Sequence, residues 1–348
     1  MTHFTTLGDF FQYSELRYQV FDIGRRVVAI TPQQFEQFEQ FEQAVQPYPY
    51  PMQQQAMLAL VLSPAQSTEP YIWFLSFPLD EQGLLIQASR DHFLKTLIER
   101  ILQNASAQTA SGIENAAQDS PYIIKPYEDK MAVVHAKVNH QLQRQSSYYQ
   151  ETLAYYLLER PSGDWPNLVK QGIADLAIYA EGLSLQQSVS HWLSLPDEPV
   201  ISLCHFLENR PLPLEIMTII QTYFETVLQQ KTVNTALLLA YLRAVSYQHD
   251  EPIIKAMIEK VLTHRTVCTK VDVFATIAGR LWSYLREGDL CRLFLTKLAE
   301  NDAGQAGFSH IVADLVFMPN LRTPVMSVLR STERSEALTQ CVGKMFMS

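Results

Sequence analysis

The strongest constraint in this 348-residue sequence is an apolar stripe that recurs at a step of about 37 residues between positions 200 and 300. Ile253, Ile254, Met257, Ile258, Val261 and Leu262 have the spacing of one face of an α-helix. One step forward the stripe returns as Leu290, Cys291, Phe294, Leu295, Leu298 and Ala299; one step back it is Ile216, Met217, Ile220 and Phe224, interrupted by Gln221 and Glu225. The preceding helix obeys the same shift. Val200, Leu237 and Phe274 correspond, as do Leu203, Ala240 and Ile277, then Cys204, Tyr241 and Ala278, then Leu207, Ala244 and Leu281. A constant step across two helices and three copies predicts stacked helical hairpins, each burying its stripe against its neighbours. The copies share apolar positions more than identities, so the array is HEAT-like in period and pattern without a HEAT signature. The rival reading is an irregular bundle in which one helix length recurs.

The first hundred residues follow a different period. Runs 18–23 and 26–30 are β-rich and flank Gly24 and Arg25, which suit a two-residue type II′ hairpin with Phe21 opposite Val28 and Val20 opposite Ala29. Thr31, Pro32 and Gln34 make a helix start. The helix carries a tandem Phe-Glu-Gln triplet over 35–43, with phenylalanines on one broad face and Glu and Gln covering the rest. Residues 47–51, Pro-Tyr-Pro-Tyr-Pro, should run as a polyproline II connector. Strands are expected at 56–62 and 71–77, a turn at 80–83, a further strand at 84–87, and a helix from Arg90 with Phe93, Leu94, Leu97, Ile98, Ile101 and Leu102 on its stripe. This order predicts an antiparallel sheet covered by two helices.

Residues 103–120 are Ala, Ser, Gln and Asn with little to bury, which reads as a flexible linker. The expected organisation is therefore an α+β N-terminal domain over 1–104, a linker over 105–120, and an all-α helical-hairpin array, a HEAT-like α-solenoid, over 121–348. Within the array, Pro126 is expected to start a helix striped by Met131, Val134, Val138 and Leu142. Ser147 with Gln150, Asp164, and Ser184 with Gln187 are expected to cap the next three, and helices at 304–317, 321–330 and 333–347 to end it.

Net charge is −9 and no Lys/Arg run occurs, so binding to a nucleic-acid backbone is not expected. The N-terminus has no secretory pattern and no stretch is apolar enough to span a bilayer, which points to a cytoplasmic protein with no membrane role. Cys204, Cys268, Cys291 and Cys341 share no motif spacing, so neither a disulfide framework nor a structural zinc site is expected. His135 and His140, five apart on a helix, cannot face one metal together. His264 with Cys268, and Cys204 beside His205, supply too few ligands. No cofactor motif or catalytic signature is present.

Residues 18–26 (Tyr-Gln-Val-Phe-Asp-Ile-Gly-Arg-Arg) and 72–83 (Ile-Trp-Phe-Leu-Ser-Phe-Pro-Leu-Asp-Glu-Gln-Gly) resemble an uncharacterised family of proteins of unknown function from gamma-proteobacteria. Residues 90–94, the Pro-Tyr-Pro segment and residues 130–132 agree with that resemblance. It implies a bacterial cytosolic protein and carries no activity over to this chain.

One charged constellation stands out: Asp22, Arg25 and Arg26 with Asp80, Glu81, Arg90 and Asp91, all at strand ends and turns of the expected sheet. The alternative is that the aspartates serve turn geometry and the arginines are solvated. Two functions follow. The first is a non-catalytic scaffold or adaptor whose array binds another protein or peptide. The second is a small-molecule or catalytic site in the α+β domain at Asp22, Arg25 and Arg26.

Overall fold

Strict alternation along Tyr71–Pro78 makes an inner face of Tyr71, Trp73, Leu75 and Phe77 and an outer face of half-buried residues, which is the pattern of a strand with one side on a core. This strand, β4, pairs antiparallel with β3 (Gln55–Pro64), β3 with β1 (Leu16–Asp22), and β1 with β2 (Val28–Ile30). The sheet order is β2-β1-β3-β4. Helices α1 (Leu7–Tyr13), α2 (Pro32–Glu39) and α3 (Gln87–Gln103) contribute Phe10, Phe11, Phe35, Phe38, Phe93 and Leu97 to one core with the inner face of the sheet. The computed structural model describes residues 4–39, 46–64, 69–103, 116–117, 119–249 and 251–347. It divides into two compact units: Met1–Lys130 with Phe317–Pro319, and Met131–Val316 with Asn320–Ser348. Most of the expected linker lies outside the described residues.

The antiparallel sheet and helices α2 and α3 match the sequence reading, with four local corrections. The first concerns the hairpin. Phe21 faces Ala29 and Val20 faces Ile30, and residues 23–27 form a longer loop in which Gly24 is not left-handed. That loop is held from outside itself: the Ile23 amide donates to Met57 O at 2.9 Å and the Lys130 ammonium to Arg25 O at 3.0 Å. Local turn preference therefore does not decide its conformation.

The tight two-residue turn falls instead at Gln53 and Gln54, both left-handed with φ 51° and 59°, between the paired Met52 and Gln55. The second correction is at 84–87, where only a single bridge, Leu79 to Leu85, forms before α3 begins at Gln87. Third, the chain has an additional helix, α1, started by a reciprocal capping box between Thr6 and Asp9 and buried along Leu7, Phe10 and Phe11. Fourth, Glu39 in α2 is buried, not on a covering polar face. The remainder of the Phe-Glu-Gln triplet lies outside the described residues.

Among the described residues the second unit holds helices joined by turns and no strand. It opens with α4 (Glu128–Gln141), α5 (Tyr149–Tyr156), α6 (Lys170–Tyr179) and α7 (Gly182–Ser190). Here the expected caps fail. Ser147 does not cap α5, whose N-cap Tyr148 makes no side-chain cap bond; Asp164 lies in a short 3-10 turn, Ser162–Asn167; and Ser184 falls inside α7. The neighbouring Ser146 hydroxyl bonds to the Asp175 carboxylate on α6, a tertiary contact that displaces the local capping geometry.

Three regular hairpins follow: α8 (Asp197–Leu207) with α9 (Leu214–Leu228), α10 (Thr235–Ala244) with α11 (Pro252–Thr263), and α12 (Val271–Arg280) with α13 (Gly288–Leu298). All twelve positions matched across the first helices are buried. In the second helices Met257 and Phe294 are 0% exposed, and Ile220 occupies their place one step back, also at 0%. First helices pack on first helices (α8 on α10, α10 on α12) and second on second (α9 on α11, α11 on α13). This layered stacking turns one repeated stripe into a continuous core. Helices α14 (Gly304–Phe317), α15 (Arg322–Arg330) and α16 (Glu336–Met347) complete the chain.

Candidate functional site

The seven charged residues singled out in the sequence do not form one site. They divide into three arrangements, each with its own partners.

The first is built on the end of β1. Asp22 is 0% exposed, and Arg25 and Arg26 are each 3% exposed. The Tyr48 hydroxyl donates to Asp22 Oδ1 at 2.6 Å, and Arg25 Nε donates to Pro51 O at 2.8 Å. The Pro-Tyr-Pro segment thus turns Tyr48 inward and offers a carbonyl to the loop. Its Tyr48 amide also donates to Gly83 O at 2.8 Å, so one rigid segment spans two turns. Gly83 is left-handed, φ 81°, and a Cβ there would come within 3.1 Å of Pro47. Burial pushes the Asp22 carboxyl up to about 7, against the pull of the Tyr48 hydroxyl, Lys130, the neighbouring Gly24 amide and Arg25. Asp22 Oδ2 is buried with no hydrogen-bond partner among the described residues.

The second arrangement joins α1, α2 and α3. Glu39 accepts from the Leu7 amide at 2.7 Å and the Gly8 amide at 3.0 Å, so its carboxylate caps the start of α1. Arg90, 4% exposed, donates to the Glu39 carbonyl and, from Nε at 2.9 Å and Nη2 at 2.7 Å, to the exposed carboxylate of Asp91. Burial also pushes Glu39 up to about 7, opposed by the two amides and by Arg90.

The third is a turn. Asp80 Oδ1 accepts from the Gln82 and Leu84 amides, both at 2.8 Å, and Glu81 is exposed beside it. Asp80 serves turn geometry. The arginines are not solvated, however: Arg25, Arg26 and Arg90 are all buried, Arg25 against the Pro51 carbonyl and Arg90 against the Glu39 carbonyl.

Sequence reasoning missed Tyr48, Glu39 and Lys130. Tyr48 carried no signal that separates it from Tyr50: the two are two residues apart, and the chain bends at 49–50. A further polar centre lies in the second unit, where Asp175 is fully buried, accepts from Gln171 Nε2 at 2.8 Å and from the Ser146 hydroxyl, and is raised by burial. Its neighbour His135 is lowered, first by burial and against the Asp175 charge. Among the described residues no group of three or more His, Cys, Asp or Glu is placed to hold a metal ion, and no helix is long and apolar enough to cross a membrane.

The family model for a protein of unknown function, DUF3549, matches residues 2–346. The chain belongs to this family. No curated protein and no solved structure matches the DUF3549 chain.

Proposed function

We propose that this DUF3549 protein is a non-catalytic scaffold or adaptor in the cytoplasm, whose helical array binds another protein or a peptide. The observation that carries this reading is the layered stack of equivalent hairpins, which holds successive helices side by side with residues such as Thr218, Glu259 and Arg292 exposed on the second helices. Large apolar side chains stand out on the same unit, with Leu183 67%, Leu193 71% and Leu214 56% exposed. The free thiols of Cys204, Cys268, Cys291 and Cys341 suit a reducing compartment. Cross-linking of the full chain in its native cell, read by mass spectrometry, tests the reading. Partner cross-links should fall within residues 131–348 and decline in the Leu183→Asp, Leu214→Asp chain; cross-links confined to the sheet unit would overturn it.

The second reading, a small-molecule or catalytic site around Asp22, Arg25 and Arg26, is favoured by the unpartnered Asp22 Oδ2. It stands second because those residues are buried, so a ligand reaches them only after the Pro-Tyr-Pro segment lifts away. Protection of Asp22 and Tyr48 from solvent exchange that responds to a small-molecule library would raise it above the first.

A further inference from the structure

The loop after α8 gathers basic side chains from several elements of the array. Lys137 of α4 donates to Asn209 O at 2.7 Å. Arg210 donates to the carbonyls of Ala177, Ile178 and Ala180 at 3.2, 3.1 and 2.8 Å, closing the end of α6. Glu208, with 2% of its side chain exposed, accepts at one oxygen, Oε2, from Arg243 Nε at 2.7 Å and Arg280 Nε at 2.9 Å. Arg243 and Arg280 stand one repeat step apart, at the ends of α10 and α12. Two guanidiniums from successive hairpins are therefore held side by side on a single buried carboxylate oxygen.

Arg243 keeps 23% of its side chain exposed, and its two terminal nitrogens make no hydrogen bond to the described residues while remaining open to solvent. A guanidinium fixed through Nε with its terminal edge free is oriented for a planar carboxylate at little further entropic cost. The negative charge beside these cations comes from Glu208 and from Glu181, which opposes the lowering of Arg210. Burial, with the adjacent Arg210, pushes Lys137 down to about 8, and burial lowers Arg210 too. In a chain of net charge −9, four cations from four elements, Lys137, Arg210, Arg243 and Arg280, meet residues 208–210 or lie in them and outnumber the carboxylates of Glu208 and Glu181, an excess that an anionic partner group would relieve.

We propose that the Arg243 guanidinium, held by Glu208 beside Arg280, receives a carboxylate from an acidic segment of a partner polypeptide. This inference rests on the scaffold reading and names the chemistry of its partner. A polypeptide carboxylate suits the site better than a phosphate backbone because the free edge is that of a single guanidinium, and the sequence has no Lys/Arg run to follow successive phosphates.

Fluorescence anisotropy of the full chain with a labelled hexaglutamate peptide, a hexalysine control and an oligothymidylate of equal charge tests it. Hexaglutamate should bind wild type in a salt-sensitive manner, and hexalysine should not. Arg243→Gln should weaken binding about tenfold or more, the loss of one charge-assisted pair. Glu208→Gln should strengthen it, because the amide oxygen can still accept from the two Nε groups and hold them in place while no longer neutralising their charge. A purely structural ion cluster predicts the reverse for Glu208→Gln, loss of stability with no gain in binding. Should Glu208→Gln fail to fold, Arg243→Lys decides: binding intermediate between wild type and Arg243→Gln supports the site, and binding equal to wild type in both Arg243 variants overturns it. Oligothymidylate binding at least as tight as hexaglutamate also overturns it. If Arg243→Gln leaves partner cross-links to residues 131–348 unchanged, the scaffold reading stands and this inference falls.

Discussion

Two carboxyl groups in the sheet unit are held in conditions that favour their protons. Asp22 and Glu39 are each pushed up to about 7 by burial, so between the ordinary carboxyl range near 4 and about 7 the folded state binds more protons than the unfolded chain. Their contribution to stability is full below that ordinary range and is lost as pH rises through about 7. Asp302 acts the other way: the Val271 amide holds it below the usual range, and its contribution is lost in acid. The melting temperature of the sheet unit should therefore rise as pH falls from about 8 to about 5, and Asp22→Asn should flatten that slope; an unchanged slope in the variant counts against the burial of an ionisable Asp22. A second prediction at this scale concerns Gly172, where α6 passes close to α5. A Cβ there would come within 2.2 Å of Thr152 Oγ1 and 3.0 Å of Tyr148 O. Gly172→Ala should destabilise the second unit by about 1–3 kcal/mol. Adding Thr152→Ala should recover part of the loss, because the two side chains couple. Denaturant titration of the two single variants and the double variant measures this.

Elements in the array are positioned by equivalent stripes, and the most demanding prediction belongs to them. Met257 on α11 and Phe294 on α13 are both 0% exposed and occupy matched places. Met257→Asp and Phe294→Asp each bury a carboxylate with no partner, at a cost of several kcal/mol, enough to unfold a marginally stable unit. Lys260, paired with Glu225, and Lys297, 3.4 Å from Glu300, lie on the outer side of the same helices. Lys→Gln at either should change stability by less than about 0.5 kcal/mol, since exposed pairs contribute little. Thermal melts of the four variants separate the two faces. Aspartate variants that melt like wild type would contradict the buried stripe.

At the scale of the whole molecule, two compact units with separate cores imply that unfolding is not a single all-or-none step. Scanning calorimetry of the full chain should give a calorimetric enthalpy larger than the van't Hoff enthalpy. The transition that shifts most with pH should be that of the unit containing Asp22 and Glu39. One transition with equal enthalpies would show the units melting as one. Far-UV circular dichroism of residues 131–348 should be helical; substantial β content there would contradict the division of strands and helices between units.

The sequence by itself determined the repeat, the sheet and the change of period between them, because each rests on many residues whose spacing must match a core. The matched positions from Val200 to Leu298 are legible in the sequence because all of them except the half-buried Ile253 are buried. Local signals were weaker wherever a distant group intervened. Gly24 and Arg25 look like a two-residue turn, yet contacts from Met57, Pro51 and Lys130 hold a longer loop; Ser147 looks like a helix cap, yet the adjacent Ser146 is drawn to Asp175 on the next helix. The charged residues of the candidate site were found as residues but not as an arrangement. Asp22 is buried under Tyr48, Arg25 against Pro51 and Arg90 against the end of α2, and the pairing of Glu208 with Arg243 and Arg280 exists only once three hairpins are stacked. Spacing along a chain encodes which face a residue takes on its own element, whereas the partner of a buried charge depends on which elements meet, and that is settled by packing.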